Sequence, residues 1–137
     1  SVYGPRERET RLITAVLDAC LNKKEFKLSS PSVVRDFIYI DDVVDVCTRV
    51  DELKKHIGQI FNVGTGKQTS VQRIVDVCSH LTGYMPKCFW NENQRSWDAM
   101  NWVADCSKTE NLLGWRSSTS IEDGLKKTID WAEKYGK

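Results

Sequence analysis

A cation precedes, and two acids follow, a short apolar run in the sequence VVRDFIYIDDVVDV. Arg35 stands just before this run, and Asp41 and Asp42 come directly after it. A guanidinium beside a buried strand must either be paired or stay at the surface. Arg35 could pair with Asp36 or another acid, or its planar fork could bind a phosphate through two parallel hydrogen bonds. We expect the two acids to begin a helix by accepting hydrogen bonds from its free N–H groups.

A second arginine, Arg95, lies in a polar stretch together with Trp97 and Asp98. One arginine in a loop is weak evidence for a site, but Arg35 and Arg95 together could bracket a diphosphate. Three tryptophans are close in sequence to this stretch: Trp90, Trp97 and Trp102. Their rings could stack on a base or a sugar, although packing in the core is the more common role of a single tryptophan.

Two glycines in the sequence FNVGTGKQTS follow an apolar stretch and precede a helix cap. Glycines in this position can form an anion-binding loop at the start of a helix. Their spacing differs from the GxGxxG of a dinucleotide loop, and the stretch lacks the GK[ST] of a P-loop. The more ordinary interpretation is a tight turn, in which Gly64 and Gly66 let the chain pass close to another element.

Length, composition and charge describe an ordinary globular domain. The chain has 137 residues, of which 40% are hydrophobic and 28% are charged, enough for one compact domain with its own core. A net charge of +1 gives no general attraction to nucleic acid or to an anionic membrane. The apolar runs are far shorter than the ~20 residues of a membrane-spanning helix, and no secretory signal stands at the beginning. We therefore expect a cytoplasmic protein without nucleic-acid or membrane partners.

Five widely spaced cysteines occur without any CxxC pair: Cys20, Cys47, Cys78, Cys88 and Cys106. Cys20, Cys47 and Cys78 fall on the apolar faces of predicted helices, which indicates buried free thiols in a reducing compartment. A zinc site needs closely spaced ligand pairs, and neither His56 nor His80 belongs to one. We expect no metal site.

Hydrophobic spacing predicts helices that alternate with short strands. Helices are expected in residues 9–25, 42–57, 70–82, 107–113 and 120–136, and strands in residues 26–30, 37–40, 59–63, 87–90 and 102–105. The expected N-caps are Thr69 or Ser70, Ser107 in a capping box with Glu110, and Ser120, whereas Gly83 and Gly114 should end their helices. This order predicts an α/β, or mixed α+β, domain with a small sheet and several amphipathic helices.

Five stretches, in this order, resemble one protein family. They are VYGPRE, RDFIYIDDVVD, FNVGTGKQTSV, RSWDAMNWVADCSKTENLLGW and SIEDGLKKTIDW. Together they cover nearly the whole chain and resemble the C-terminal part of the NAD(P)-dependent sugar-nucleotide epimerases and dehydratases, which are extended short-chain dehydrogenases. The order and spacing of the five stretches carry the resemblance.

The resemblance implies that residues 1–137 form a single substrate-binding domain. In that family an N-terminal dinucleotide-binding (Rossmann) domain holds NAD or NADP, and it carries a glycine-rich loop and a Tyr-x-x-x-Lys pair that this sequence lacks. We therefore expect no catalytic residue and no cofactor in this chain, which should not be active alone. NAD or NADP is implied for the complete enzyme. The implied partners are a nucleotide-diphosphate sugar and a Rossmann domain.

The resemblance also implies which residues bind the substrate. Arg35 resembles the family arginine that precedes the DF strand, and Arg95 resembles the arginine of an R-x-G-D loop, so both are implied to contact the diphosphate. Asp98 matches the acid of that loop, and would contact a ribose or sugar hydroxyl or orient Arg95. Tyr39 or Phe37 would support the base.

Two positions depart from the family pattern. Trp97 replaces the glycine before Asp98, which removes backbone freedom from that loop. Ser1 stands where the family often has an asparagine that contacts the sugar, so Ser1 is the last of the expected substrate-binding residues.

An interaction or assembly module is the alternative class of function. A domain without its Rossmann half would expose apolar surface where that half packed, and such a surface favours association. The helix in residues 10–23 is the expected surface for self-association.

Overall fold

Short strands and helices alternate along the chain. The computed structural model describes residues 1–28, 30–91 and 101–135. Its helices are α1 (Leu12–Leu21), α2 (Ile40–Thr48), α3 (Val50–Lys54), α4 (Val71–Thr82), α5 (Ser107–Leu113) and α6 (Ile121–Tyr135). Its strands are β1 (Val2–Tyr3), β2 (Phe26–Leu28), β3 (Val34–Arg35), β4 (Ile38–Tyr39), β5 (Thr69–Ser70) and β6 (Cys88–Trp90).

The strands form three separate pairs in the described part of the chain. β1 runs parallel to β4 and β2 runs parallel to β6, whereas β3 and β5 are antiparallel. Parallel strands that are separated by helices in the sequence are typical of an α/β fold. The predicted fold class is therefore confirmed.

Two predicted strands, QIFNV and WVAD, do not form. Their backbone groups bind isolated partners instead of a neighbouring strand. The carbonyl oxygen of Asn62 accepts a hydrogen bond from the hydroxyl of Thr109 (2.5 Å), and that of Trp102 accepts one from the N–H of Asp36 (2.9 Å). Phe61 still packs against buried neighbours, which explains why this stretch looks like a strand in the sequence.

One apolar cluster joins three helices. α1 and α6 both pack against α4, and Val16, Ile74 and Leu125, one from each helix, are 0% exposed. Burying such a side chain contributes about 1.5–3 kcal/mol relative to leaving it in water. Because the apolar face of α1 is covered in this way, the prediction that residues 10–23 present an exposed surface for association is wrong.

A second apolar cluster lies on the other side of β4, because successive side chains of a strand point to opposite sides. Tyr39 enters the first cluster, and Ile38 enters the second together with Trp115. The indole Nε1 of Trp115 donates to Oδ2 of Asp45 in α2 (2.7 Å). The strand predicted in residues 37–40 is thus shorter than expected, and it sits between the two cores.

The two acids after β4 do not cap α2, so that prediction is wrong. Tyr39 is the N-cap residue and makes no side-chain cap, while Asp41 and Asp42 lie in the first turn, where acids favour the helix dipole. Asp42 is 5% exposed, and its carboxylate accepts four hydrogen bonds of 3.0–3.3 Å from the N–H and hydroxyl groups of Ser118 and Thr119. It therefore ties α2 to the segment before α6.

Most other helix ends follow the predicted cap residues. The Oγ of Ser70 accepts from the N–H of Arg73 (3.1 Å), and the Oγ of Ser120 accepts from the N–H three residues later (3.0 Å). Gly83 and Gly114 end α4 and α5 with φ of 70° and 58°, which glycine adopts without strain.

Two local predictions about helices are wrong. Cys106, not Ser107, is the N-cap residue of α5, and Oδ1 of Asp105 accepts the N–H of Ser107 (3.0 Å) in place of a capping box. The helix predicted in residues 42–57 is two helices, because the backbone of Arg49, with ψ of 55°, leaves the helical region between α2 and α3.

Burial differs among the three cysteines that were predicted to be buried in helices. Cys20 and Cys78 are buried free thiols, as predicted, and burial raises the pKa of each. Cys47 is exposed, so the prediction of a third buried thiol is wrong. Asp42 and Val46, four residues apart, form the buried side of α2. Cys47 is the next residue after Val46 and therefore lies on a different side of the helix.

No helix among the described residues has the length and apolar character required to cross a membrane.

Gly124 in α6 generates a prediction, because it lies directly against Tyr3. A Cβ at position 124 would collide with the Tyr3 hydroxyl and lie 2.8 Å from its Cζ. We expect Gly124→Ala to lower the free energy of unfolding by about 1–3 kcal/mol through overpacking, although alanine in a helix is favoured over glycine by about 0.5–1 kcal/mol. Urea unfolding measures this, and adding Tyr3→Phe should restore part of the loss. Unchanged or higher stability of Gly124→Ala would contradict this packing.

Candidate functional site

Two of the residues expected to bind substrate, Ser1 and Arg35, line one cleft. The cleft has a volume of about 260 Å³, and its walls come from β1, the segment before α1, the first turn of α1, and β3. Phe37 contributes an apolar wall, whereas Glu7 and Arg11 contribute charged groups. Apolar walls with a few charged groups are typical of a site for a small polar ligand.

Strand pairing fixes the backbone of Arg35 at this cleft. Arg35 is half-buried and stands opposite Thr69 in the β3–β5 pair. Its Nη1 donates a hydrogen bond to the carbonyl oxygen of Val34 (2.8 Å). The sequence also allowed an ion pair between Arg35 and Asp36, both of which the structure describes. This ion pair does not form, because the carboxylate of Asp36 binds other donors.

Asp36, the next residue, is buried in a cage of donors. It is 5% exposed. Its Oδ1 accepts from the N–H (2.9 Å) and the hydroxyl (2.5 Å) of Thr65, and its Oδ2 accepts from the N–H groups of Gly66 (3.0 Å) and Ala104 (3.2 Å). Burial by itself raises the pKa of Asp36, but these hydrogen bonds outweigh burial, so the pKa lies below its usual 3.8. Three segments of the chain therefore meet at one ionised carboxylate.

The two glycines of the turn allow this close approach, as the tight-turn interpretation predicts. A Cβ on Gly64 would lie 2.6 Å from Oδ2 of Asp36 and 2.7 Å from the Cβ of Ala104, and Gly66 has φ of 67°. The turn does bind an anion, but the anion is the carboxylate of Asp36. Because the N–H groups of Thr65 and Gly66 already donate to it, the turn does not fit the phosphates of a dinucleotide.

The aromatic residues expected near the base are separated by the fold. Tyr39 is 4% exposed, its ring lies edge-on to Tyr3 with a centroid distance of 5.6 Å, and the Nζ of Lys127 lies 5.1 Å from its ring centroid. Phe37, by contrast, lines the cleft with Arg35. The structure thus places Phe37, and not Tyr39, on the wall of the cleft.

Arg95, Asp98 and Trp97 lie outside the described residues. Of the other two tryptophans, Trp90 is partly buried against the first core cluster, whereas Trp102 is 65% exposed. Core packing is therefore confirmed for Trp90, and the structure brings together Ser1 and Arg35 from the predicted set.

Sequence reasoning missed Glu7 and Arg11 on the wall of the cleft. The Nε of Arg11 lies 3.2 Å from Oε1 of Glu7, and the hydroxyl of Thr14 lies 3.4 Å from Oε2. The available signal was an acid and a base four residues apart at the entrance to α1, a spacing typical of helical ion pairs.

A larger cleft, of about 590 Å³, lies beside the turn at residues 64–67 and contains none of the predicted site residues that are described. Lys67, Glu110 and Arg116 line it, and Arg116 forms an ion pair with Glu110. Within residues 1–28, 30–91 and 101–135, no group of three or more His, Cys, Asp or Glu side chains could hold a metal ion.

Comparison with known proteins gives consistent matches. Residues 1–64 match the model of the NAD dependent epimerase/dehydratase family. The chain is 32% identical over 136 residues to a UDP-glucuronate 4-epimerase from Thermodesulfobacterium geofontis. The aligned region covers 98% of this chain and 41% of that protein.

Solved structures of similar proteins share the fold. A UDP-glucose 4-epimerase from Thermotoga maritima, solved with UDP-glucose, has a TM-score of 0.84 and 30% identity over 98% of this chain and 44% of its own. A UDP-glucuronic acid 4-epimerase from Bacillus cereus, solved with UDP-glucuronic acid and NAD, has a TM-score of 0.87 and 27% identity over 98% and 43%.

The fold and these matches define a part of an extended short-chain dehydrogenase. The chain is similar to proteins of the NAD-dependent epimerase/dehydratase family, whose model matches residues 1–64, and it spans about two fifths of the length of these relatives, 41–44%.

The cage around Asp36 predicts how stability depends on pH. Because the pKa of Asp36 is lower in the folded chain than its usual 3.8, this carboxylate stabilises the fold above that pH, and the contribution is lost as the pH falls through the lowered pKa. We expect Asp36→Asn to be less stable than the unmodified chain at about pH 7, and the difference to shrink at about pH 3. Urea unfolding at both pH values measures it.

Asp51→Asn is the control for that experiment. Its side chain is 94% exposed and forms only a surface ion pair with Lys54, so the substitution should change stability little at either pH. A constant difference between Asp36→Asn and the unmodified chain at both pH values would refute the role of the ionised carboxylate.

Proposed function

We propose that this chain is the nucleotide-sugar-binding part of an NAD(P)-dependent epimerase, dehydratase or reductase, in which Arg35 anchors the diphosphate of the substrate. The observation that carries the proposal is that Arg35 and Ser1 line one cleft, in a chain similar to proteins that were solved with UDP-sugars. A guanidinium presents parallel N–H donors at the spacing of phosphate oxygens, which suits it to this role.

The other residues take supporting roles around that anchor. Ser1, at the same cleft, is proposed to face the sugar. Both Phe37 and Tyr39 are buried, but Phe37 lines the cleft and Tyr39 does not, so Phe37 is the better placed support for the base. Arg95 and Asp98 are proposed, from their motif alone, as a second contact to the diphosphate and a contact to a hydroxyl. Anchoring the diphosphate would hold the sugar in a fixed orientation, which is how binding energy far from the reacting atoms assists a reaction.

NAD or NADP is proposed for the complete protein, on a dinucleotide-binding domain that this chain would contact. Support comes from the relatives, which are more than twice as long as the matched part and include an enzyme solved with NAD. The turn at Gly64 and Gly66 does not fit a dinucleotide, so we assign no cofactor contact and no step of hydride transfer to residues of this chain.

The alternative function, an assembly module, lacks a specific observation in its favour. Its expected surface was α1, and the apolar face of that helix is buried against α4.

Substitution of Arg35 tests the proposed function. We expect UDP-glucose or UDP-glucuronic acid to bind the 137-residue chain, and Arg35→Met to weaken binding about 10- to 100-fold, because hydrogen bonds from a charged group contribute about 1.5–3 kcal/mol. Isothermal titration calorimetry measures both affinities. Arg95→Ala should weaken binding in the same direction if that residue supplies the second contact.

Arg49→Met is the matched control. Arg49 carries the same charge and pairs with Asp45 between α2 and α3, away from the residues that line the cleft. Its replacement should leave the affinity within about twofold, since exposed ion pairs contribute little. Equal losses in Arg35→Met and Arg49→Met, or no binding of either sugar to the unmodified chain, would overturn the proposal.

A further inference from the structure

We infer that Asp36 is a positioning residue, whose buried carboxylate holds the neighbouring Arg35 in the geometry that binds a diphosphate. This inference rests on the proposed function and names a residue that would act through Arg35 without touching the ligand. Three features of the structure carry it: a closed ring of contacts, a second anchor on the backbone of Asp36, and the use of both carboxylate oxygens.

The first feature is a ring that closes on Arg35. The turn after Gly64 is held at its beginning by the carboxylate of Asp36, which binds Thr65 and Gly66. It is held at its end by strand pairing between Thr69 and Arg35. Asp36 and Arg35 thus bind the two ends of one short loop, and we expect a change at one end to displace the other.

The second feature is the anchor on the far side of Asp36. The N–H of Asp36 donates to the carbonyl oxygen of Trp102 (2.9 Å), and the N–H of Ala104 donates back to Oδ2 of Asp36 (3.2 Å). The segment at residues 102–104 and the 64–66 turn therefore hold Asp36 from two directions. β5 pairs with β3 at Thr69 and Arg35, so backbone contacts hold both residues of the Arg35–Asp36 pair.

The third feature explains why the residue must be an aspartate. Oδ1 receives both donors of Thr65, and Oδ2 receives the N–H groups of Gly66 and Ala104. An asparagine of the same shape has one acceptor oxygen, so it serves one pair and turns its own N–H₂ group toward the other. Unpaired buried donors are costly, and the turn would have to move to relieve them.

Asp42 provides a matched control within the same chain. It is also 5% exposed and also accepts four hydrogen bonds from distant N–H and hydroxyl groups, those of Ser118 and Thr119. It ties α2 to the start of α6 and does not line the cleft of Arg35. A purely structural role for Asp36 would make the two aspartates equivalent in their effect on ligand binding.

The experiment compares Asp36→Asn with Asp42→Asn in the 137-residue chain. Both variants should unfold at lower temperature than the unmodified chain, and both are studied below their Tm. The affinity for UDP-glucuronic acid, measured by calorimetry, should fall about tenfold in Asp36→Asn, as expected when a charged contact is partly lost, and stay within about twofold in Asp42→Asn.

A second readout does not need the ligand. In the free chain, the NMR signals of the Arg35 Nε–H group and the Thr69 amide should move in Asp36→Asn and remain in place in Asp42→Asn. Thr65→Val removes the hydroxyl and should reproduce part of both effects. Thr65→Ser keeps the hydroxyl and should behave like the unmodified chain.

The outcomes separate this inference from the proposed function. If the unmodified chain binds the sugar nucleotide but Asp36→Asn binds it equally well, or if both Asn variants lose affinity in proportion to their loss of Tm, the positioning role is overturned while the proposed function stands. If the unmodified chain does not bind, the proposed function fails and the role of Asp36 in binding fails with it. Unmoved Arg35 and Thr69 signals in Asp36→Asn would overturn the coupling by themselves.

Discussion

The structure depends on the buried carboxylate of Asp36, which joins irregular segments of the chain. Asp36 binds donors from residues 65, 66 and 104, which belong to segments without regular secondary structure. The strands near it are only two residues long, so strand pairing alone could not fix their positions. A buried carboxylate stabilises the fold when donors bind both of its oxygens, and destabilises the fold when some of those donors are missing. The 64–66 turn must therefore adopt the geometry that supplies these donors.

Other acids of the motif RDFIYIDDVVD also accept hydrogen bonds from distant parts of the chain. Its acids reach different later parts of the chain: Asp36 reaches the 64–66 turn, Asp42 reaches the segment before α6, and Asp45 reaches the indole of Trp115. Between these acids, the side chains of β4 enter two different apolar clusters. The polar residues that looked out of place beside a buried strand are therefore the ties that assemble the domain. In the same motif, Asp41 is exposed and Arg35 lines a cleft.

The sequence predicts the parts of this fold that depend on local rules. The stripes of α1, α4 and α6, the caps Ser70 and Ser120, and the glycine ends follow from patterns within a few residues, and they form as expected. Several failures involve partners far away in the sequence. Asp42 looks like a cap because its partners, 76 and 77 residues later, are invisible to local patterns. The same reason hides the cage around Asp36, and it makes the loop at residues 102–105 look like a strand.

Some residues of the candidate site can be recognised in the sequence, and others are recognised only in the fold. Arg35 could be singled out because a cation beside a buried strand is unusual, and the resemblance to a family added a reason for it. Glu7 has only a weak signal, a base four residues later, because such pairs are common in charged surface stretches and only the fold brings Glu7 to the cleft. Tyr39 illustrates the opposite error: an aromatic ring two positions after Phe37 shares its side of the strand, yet packs against Tyr3 in the core.

The central claim is that a nucleotide diphosphate binds at Arg35, and the most direct measurement is a ¹H–¹⁵N spectrum of the arginine side chains during a titration with UDP. If Arg35 binds the diphosphate, its Nε–H signal should shift progressively to saturation while that of Arg49 stays in place. A spectrum in which Arg35 does not respond, or in which both signals drift together without saturating, would contradict it.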